Sequence, residues 1–183
     1  MGDVEHVREG WRQKAKEVAI NIVAPRAAEI DKQGEFAWDI ADEFAQQGFM
    51  SLLIPEEYGG QDADITSFCL IVEEIAKVCA SSALLVIVQA VGTMPVALGG
   101  SPSLKEDILR RIVNEKALIC FCLTEPETGS DAASIRTKAV FEGDYYLLNG
   151  RKCFITNGGV AHFYTVFATT QFDKKMEGIT GFV

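Results

Sequence analysis

Hydroxyl, carboxylate and glycine residues cluster in the segment Cys120–Asp131, and their spacing could bind a phosphate or the polar edge of a heterocycle. An apolar run delivers Thr124 to a turn set by Pro126, and Gly129 permits a ligand to approach the backbone closely. Three hydroxyls lie in or beside this loop: Thr124, Thr128 and Ser130. Hydroxyls and loop N–H groups suit anionic or polar ligands, although such loops are also common as simple turns.

Neither the acids nor the cysteines of this region have the spacing of a metal site. Glu125, Glu127 and Asp131 fit neither a calcium loop nor a two-carboxylate hydrolase. We expect Asp131 to cap the turn and both glutamates to be solvated. The pair Cys120 and Cys122 lacks a second pair of ligands at short spacing, which disfavours zinc. We therefore expect no metal, and we predict reduced, buried thiols on one face of a strand.

A second segment, Leu148–Gly159, combines a turn signal with an aromatic residue and a hydroxyl. Asn149–Gly150 predicts a tight hairpin, whose return strand would place Phe154 and Thr156 on one face and Ile155 on the other. An aromatic ring and a hydroxyl on one face could stack on a flat ring and hydrogen-bond to it. Ordinary cross-strand packing explains the same pattern, so the residues alone leave both interpretations open.

The elements that position these segments change from helices to strands near residue 117. Apolar residues at helical spacing predict a first helix from residue 4 to at least 22, which Pro25 should kink or interrupt. The same spacing predicts further helices over 38–47, 65–79, 82–98 and from 101 onward. The helix over 82–98 is apolar almost all round, so we expect it to be buried. Strands are predicted over 117–124, 137–141, 145–148, 153–156, 163–169 and 179–183. The fold class is therefore α+β, with an all-α helical domain at 1–116 and an incomplete antiparallel β domain at 117–183.

Composition excludes several functional classes. The formal net charge of −9 over 183 residues opposes binding to nucleic acid or to an anionic membrane. The odd count of five cysteines favours reduced thiols. No signal peptide is expected, and the longest apolar stretch, Ala83–Val88, is too short to span a bilayer. We expect a cytoplasmic protein without membrane insertion, and we interpret the end of the chain inside an apolar strand as truncation of a longer domain.

Taken together, Leu123–Asp131 and Leu148–Asn157 resemble the two signature segments of the acyl-CoA dehydrogenase family. The loop Ile54–Gly60 resembles the family too, as does Val72–Ala76 with the apolar helix that follows and ends in Gly92–Pro95. The resemblance covers nearly the whole chain. It implies the family's architecture of a helical domain, a β domain and a second helical domain, of which this chain resembles the first and about half of the second.

The resemblance implies FAD-dependent α,β-dehydrogenation of an acyl-CoA thioester to the trans-2-enoyl-CoA, with electrons passed to an electron-transfer flavoprotein. In the family a glutamate base removes the α proton while the β hydrogen leaves as hydride to FAD. The implied cofactor-binding residues are Phe121, Leu123, Thr124, Gly129, Ser130, Phe154, Ile155 and Thr156. The implied substrate-binding residues are Ser130, Ile87 and Val91. Many family members have Trp where this chain has Phe154, so its ring contact is smaller.

The resemblance places the catalytic base outside this chain, in the family's C-terminal helical domain, which is absent here. We therefore expect the chain alone to retain FAD weakly and to be inactive. The family also implies a homotetramer, an acyl-CoA substrate and an electron-transfer flavoprotein as partner. Two alternatives stay open: a non-catalytic truncated paralogue, and an acyl-CoA oxidase or flavin monooxygenase on the same scaffold. The length and branching of the acyl chain are open as well.

Overall fold

The computed structural model describes residues 2–183, in which six α-helices precede five β-strands. The helices are α1 (Gly2–Val18), α2 (Ala24–Gln33), α3 (Trp38–Gln46), α4 (Ile65–Ala76), α5 (Ala80–Gly99) and α6 (Pro102–Asn114). The strands are β1 (Ile119–Cys122), β2 (Lys138–Glu142), β3 (Tyr145–Asn149), β4 (Phe163–Thr169) and β5 (Ile179–Phe182). This order of a helical part followed by a sheet confirms the α+β prediction.

The first two helices form one continuous rod with a π-helical segment at Ala19–Val23. Pro25 lies in the first turn of α2 and, because it has no N–H group, it cannot donate to the turn before it in this continuous helix. The interruption predicted near Pro25 is therefore a local widening of the helix, at the π-helical segment just before this proline. Gly34, with a φ of 63°, ends α2 in the left-handed conformation that glycine adopts at little cost.

Helix α5 joins the helical part to the sheet, because it packs against both α4 and β1. Gly92 permits the close approach to β1, since a Cβ atom there would lie 3.0 Å from Ile119 Cγ2. One face of α5 is not buried, so the prediction of a helix buried all round is wrong there. This face, the α5 stripe, consists of residues at alternating spacings of three and four: Leu84, Ile87, Val91, Met94 and Leu98.

By length and composition alone, α5 could cross a membrane, and half of its most apolar window is buried inside the protein. Apolar core helices of water-exposed domains pass the same test, so the pattern on its own is weak evidence for a membrane. The contacts of α5 with α4 and β1 account for the apolar residues of its buried face but not for those of the α5 stripe.

The sheet is mixed rather than purely antiparallel, which corrects the predicted strand arrangement. Strand β4 runs parallel to β1, from the pair Ile119↔Phe163 to Cys122↔Val166, and antiparallel to β5. The antiparallel hairpin of β2 and β3 meets β4 through one parallel pair, Lys138↔Thr169. Parallel pairing needs a long connection between two strands, and the β2–β3 hairpin and its loops lie between β1 and β4 in the chain.

The hairpin predicted at Asn149–Gly150 is wrong, because no return strand follows it. The turn at Gly143–Asp144, which the sequence also predicts, does join β2 to β3. No strand forms over 153–156, where the backbone takes turns instead. Phe154 and Asn157 have φ values of 55° and 66°, which no extended strand contains. A period-two pattern of side chains could not reveal these left-handed residues.

Candidate functional site

The two segments that the sequence analysis singled out lie side by side. The backbone N–H of Cys153 donates to the carbonyl oxygen of Thr124 at 3.0 Å. The ammonium group of Lys152 donates to the carbonyl oxygen of Leu123 at 2.9 Å. Residues almost thirty positions apart in the sequence are thus joined directly, and the end of β1 is held beside the turn that contains Phe154.

Glu125 is the centre of this junction, although it was expected to be solvated. It is 4% exposed, and its carboxylate accepts hydrogen bonds from Lys152 Nζ at 2.8 Å and from Thr137 Oγ1 at 2.6 Å. The backbone N–H groups of Arg136 and Thr137 donate to the same carboxylate at 2.6 and 2.9 Å. Sequence reasoning missed it because its partners lie 11, 12 and 27 positions away, beyond any local charge pattern. Glu127 is exposed, as expected.

The electrostatics keep Glu125 ionised. Burial on its own raises the pKa of this carboxyl, but the hydrogen bonds from Lys152, Thr137 and the backbone outweigh it and lower the pKa to about 2. The partner side chain of Lys152 is only 11% exposed, so the ion pair is shielded from water. An ionised carboxylate with its oxygens engaged in this way is a poor proton acceptor, and its role at this site is to hold the two segments together.

Some polar groups of the loop after Glu125 form hydrogen bonds within the protein, and others are exposed to solvent. Thr128 is buried, exchanges two backbone hydrogen bonds with Glu125 and donates its hydroxyl to the carbonyl of Ser134 at 3.2 Å. Thr128 is therefore occupied and is not a free donor. Ser134 also donates its hydroxyl to the carboxylate of Asp131. Asp131 precedes the 3-10 turn Ala132–Ser134, but its side chain accepts no backbone N–H there, so the expectation that it caps the turn is wrong.

Gly129 and Ser130, which follow Thr128, are exposed. Among residues 2–183, their N–H groups donate to no carbonyl oxygen and the Ser130 hydroxyl makes no hydrogen bond. A Cβ atom at Gly129 would meet no atom within 4 Å, so the backbone is open there. Thr124 is half-buried at the base of the loop. These residues leave two N–H groups and a hydroxyl available to an anionic or polar ligand.

Phe154 projects its ring into solvent and is 92% exposed. The cross-strand packing that the sequence left open does not occur for this residue. A bulky residue with a positive φ is uncommon and is found where the surrounding structure imposes it. Ile155 packs against the buried Cys120 and Cys122 instead, and Thr156 is half-buried next to it. The turn therefore exposes the flat apolar ring of Phe154, while the neighbouring Ile155 anchors the turn to β1.

The buried thiols of Cys120 and Cys122 lie 3.5 Å apart on one face of β1, as predicted. Burial, followed by the contact with Cys122, raises the pKa of Cys120 to about 12, and burial raises the pKa of Cys122 as well. Both thiols are thus neutral at physiological pH. No group of three or more His, Cys, Asp or Glu residues that could hold a metal ion occurs in the described part of the chain.

Helix α5 contributes to the site through two different faces. On its buried face, Gln89 donates to the carbonyl of Ala117 at 2.9 Å and accepts from the N–H of Ile119 at 3.2 Å. The predicted substrate residues Ile87 and Val91 lie on the α5 stripe, where they are half-buried. The buried face fixes α5 to the start of β1 through Gln89. The α5 stripe keeps apolar area that an apolar ligand could cover.

Two family descriptions match the chain in succession: acyl-CoA dehydrogenase, N-terminal domain, over residues 7–116, and acyl-CoA dehydrogenase, middle domain, over residues 120–183. Cyclohex-1-ene-1-carbonyl-CoA dehydrogenase from Syntrophus aciditrophicus is 46% identical over 172 residues, which cover 93% of this chain and 42% of that protein. This chain thus spans less than half the length of the curated relatives it matches.

Solved structures agree in fold. Butyryl-CoA dehydrogenase from Megasphaera elsdenii is similar with a TM-score of 0.88 at 35% identity, over 96% of this chain and 47% of that one. A chain in the structure of the electron transferring flavoprotein of Acidaminococcus fermentans gives a TM-score of 0.89 at 35% identity, over 96% of this chain and 46% of that chain. With both family descriptions in order along its length, the chain belongs to the acyl-CoA dehydrogenase family.

Proposed function

We propose that this chain supplies one side of the flavin site and of the acyl site in an FAD-dependent acyl-CoA dehydrogenase. The reaction is oxidation of the Cα–Cβ bond of an acyl-CoA thioester to the trans-2-enoyl-CoA. The observation that carries the proposal is the junction described above, in which Lys152 and Cys153 hold the turn with the exposed ring of Phe154 beside Leu123 and Thr124, at the end of β1 from which the open Gly129–Ser130 loop continues.

The residues present fit a flavin dinucleotide in chemical character. The ring of Phe154 offers a flat apolar surface, and the hydroxyls of Thr124 and Thr156 lie on the two joined segments. The open N–H groups and hydroxyl at Gly129–Ser130 suit a pyrophosphate. FAD, when bound, supplies the hydride acceptor. The chain orients it, and the Glu125–Lys152 pair keeps the two binding segments in register.

The acyl group is proposed to lie on the α5 stripe. Ile87 and Val91 are half-buried and Leu84 is 44% exposed, so each has apolar area left to cover. Every methylene buried there contributes about 0.8 kcal/mol. The named relatives act on cyclohex-1-ene-1-carbonyl-CoA and butyryl-CoA, which supports an acyl-CoA thioester as substrate class. Ser130 is proposed to reach the CoA portion or the flavin pyrophosphate.

The base that removes the α proton is proposed to come from outside this site, because the buried Glu125 keeps its oxygens engaged by Lys152 and Thr137. We also propose an electron-transfer flavoprotein as electron acceptor and a homotetrameric assembly, both of which rest on family membership. A cytoplasmic location is proposed from the free cysteines. On this proposal the chain by itself binds cofactor weakly and does not turn over substrate.

The test is FAD binding by the purified chain, followed as quenching of flavin fluorescence. Phe154→Ala removes the exposed ring and should weaken binding about fivefold to tenfold, since an aromatic contact contributes about 1 kcal/mol. Phe172→Ala, which removes a half-exposed ring outside the two joined segments, is the control and should leave binding unchanged. Absence of FAD binding, or equal loss in both variants, would refute the proposed flavin site.

A further inference from the structure

Gln89 joins α5 to the start of β1 and has the longest polar side chain of this helix. It is 1% exposed. Its amide nitrogen donates to the carbonyl oxygen of Ala117 at 2.9 Å, and its amide oxygen accepts from the N–H of Ile119 at 3.2 Å. Both ends of one carboxamide are therefore paired with backbone groups that lie 28 and 30 positions further along the chain.

These two backbone groups lie on the outer edge of β1. Among residues 2–183, β1 is the outermost strand on its side of the sheet, and its inner edge pairs with β4. Leu118 faces this inner edge, where its carbonyl oxygen accepts from the N–H of His162 at 2.8 Å. Because successive residues of a strand direct their backbone groups to opposite edges, Ala117 and Ile119 face away from β4. The carboxamide of Gln89 thus takes the place of a peptide group in a neighbouring strand.

The remaining residues of α5 define its placement on β1 less sharply. Its buried face is apolar at Leu85 and Val88, and the α5 stripe is apolar too. Hydrophobic attraction is non-directional, so it discriminates weakly between neighbouring placements of such a helix. A shift by one residue turns the helix by about 100° and brings Val88 or Ala90 to the place of Gln89. Neither can pair with β1, so the hydrogen bonds of Gln89 select one placement, as a buried polar residue does in coiled coils.

Gly92, one turn after Gln89, makes these short contacts possible. A Cβ atom there would lie 3.0 Å from Ile119 Cγ2 and 3.2 Å from the carbonyl oxygen of Cys120, so the missing side chain lets the helix approach the strand. Thr165 of β4 donates its hydroxyl to the carbonyl oxygen of Gly92 at 2.7 Å and ties the same turn to the sheet. Without Gln89, the edge groups of β1 would be paired only if water entered, and α5 would then have to turn or move away.

We infer that Gln89 is a positioning residue that sets the place of the α5 stripe relative to β1. Ile87 and Val91 lie two residues before and after Gln89, which puts them about 200° around the helix, on its other side. Any turn or shift of α5 on β1 therefore moves the stripe. Strand β1 leads directly to Thr124 in the flavin segment, so Gln89 sets the distance between the acyl group and the flavin. This consequence rests on the proposed function.

The first experiment needs no ligand. The chain is labelled with 13C in its isoleucine methyl groups, and a soluble gadolinium chelate broadens the NMR signals of methyl groups that solvent reaches. In wild type the signal of the half-buried Ile87 should broaden, and that of the fully buried Ile119 should not. Gln89→Leu should change the broadening of Ile87. Thr93→Val, which removes a buried hydroxyl that donates within the helix to the Gln89 carbonyl at 2.6 Å, is the matched control and should not.

Gln89→Glu provides a conservative rescue with a pH signature. A protonated carboxyl group donates to the Ala117 carbonyl and accepts from the Ile119 N–H, as the amide does, whereas an ionised carboxylate only accepts. An exposed glutamate has a pKa of about 4.3 and burial raises it, so this side chain is protonated in mild acid. The broadening of Ile87 should match wild type at about pH 5 and match Gln89→Leu at about pH 8. Wild type at both pH values is the control for the other groups that titrate.

The consequence for function is measured on the chain loaded with FAD. Hexanoyl-CoA at saturation should change the flavin absorption spectrum of wild type, because the thioester replaces water beside the ring. Gln89→Leu keeps the stripe residues and should still bind hexanoyl-CoA, but it should lose most of this spectral change because the stripe has moved. Thr93→Val should retain the change.

An Ile87 signal that broadens equally in Gln89→Leu and wild type, or a Gln89→Glu chain that does not respond to pH, would overturn the role of Gln89. If Gln89→Leu does not fold, the pH comparison on Gln89→Glu decides. A changed Ile87 signal without any effect of hexanoyl-CoA on the wild-type flavin supports this role and contradicts the proposed acyl site. A spectral change that persists in Gln89→Leu, although the Ile87 signal differs, overturns the link between Gln89 and the flavin.

Discussion

Removal of the charge on Glu125 tests whether the buried ion pair holds the site together. Glu125→Gln keeps the shape of the side chain but leaves the ammonium of Lys152, which is 11% exposed, without its counter-charge. The pKa of Glu125 falls from 4.5 to about 2 in the folded chain. Because one pKa unit corresponds to about 1.4 kcal/mol, the charged form is favoured by about 3 kcal/mol, which is also the usual loss when one partner of a buried pair is removed.

The sign of the pH dependence follows from the lowered pKa. The stabilisation is complete above about pH 4.5, the value in the unfolded chain, and is lost as the pH falls towards 2. Urea unfolding followed by circular dichroism at pH 7 should show Glu125→Gln less stable by about 3 kcal/mol. The difference between wild type and variant should shrink between pH 4.5 and pH 2. Glu127→Gln, an exposed neighbour, should stay within about 0.5 kcal/mol of wild type.

A double-mutant cycle with Lys152→Met isolates the pair. Each single variant leaves one buried charge unpaired, whereas Glu125→Gln with Lys152→Met leaves none, so the double variant should be more stable than the sum of the two losses predicts. Additive losses, or a Glu125→Gln variant as stable as Glu127→Gln, would refute the reasoning. FAD affinity measured on the same variants should fall with the single changes, because both segments lose their mutual anchor.

Two further substitutions and one labelling experiment probe the elements around the site. Gly92→Ala should destabilise the chain by about 1–3 kcal/mol in urea unfolding because its Cβ would press on β1, while Gly99→Ala, with open space around it, should not. Gln89→Leu should lower the free energy of unfolding by about 2 kcal/mol or more, because the carbonyl of Ala117 and the N–H of Ile119 lose their hydrogen-bond partner. In the folded chain a thiol reagent at pH 8 should modify the exposed Cys69 and spare Cys120, whose pKa is about 12; fast reaction at Cys120 would contradict its burial.

Local patterns predicted the helices well and the site in part. The capped and periodic helices follow from residues close in sequence, and the two signature segments pointed to the right loops. The left-handed turn at Phe154 was not predictable, because alternation of residue types says nothing about the sign of φ. The parallel pairing of β1 with β4 and the partners of Glu125 depend on contacts between distant residues, which single-sequence periodicity does not encode.

The two faces of α5 imply different freedom to change during evolution. On the buried face, Gln89 makes hydrogen bonds to the strand and Gly92 leaves no room for a larger side chain. Substitutions on this face therefore destabilise the fold. The stripe that includes Ile87 and Val91 contributes less to the core, and its residues can vary in size with little loss of stability. If the stripe holds the acyl group as proposed, a single helix can keep the scaffold constant while the acyl site changes.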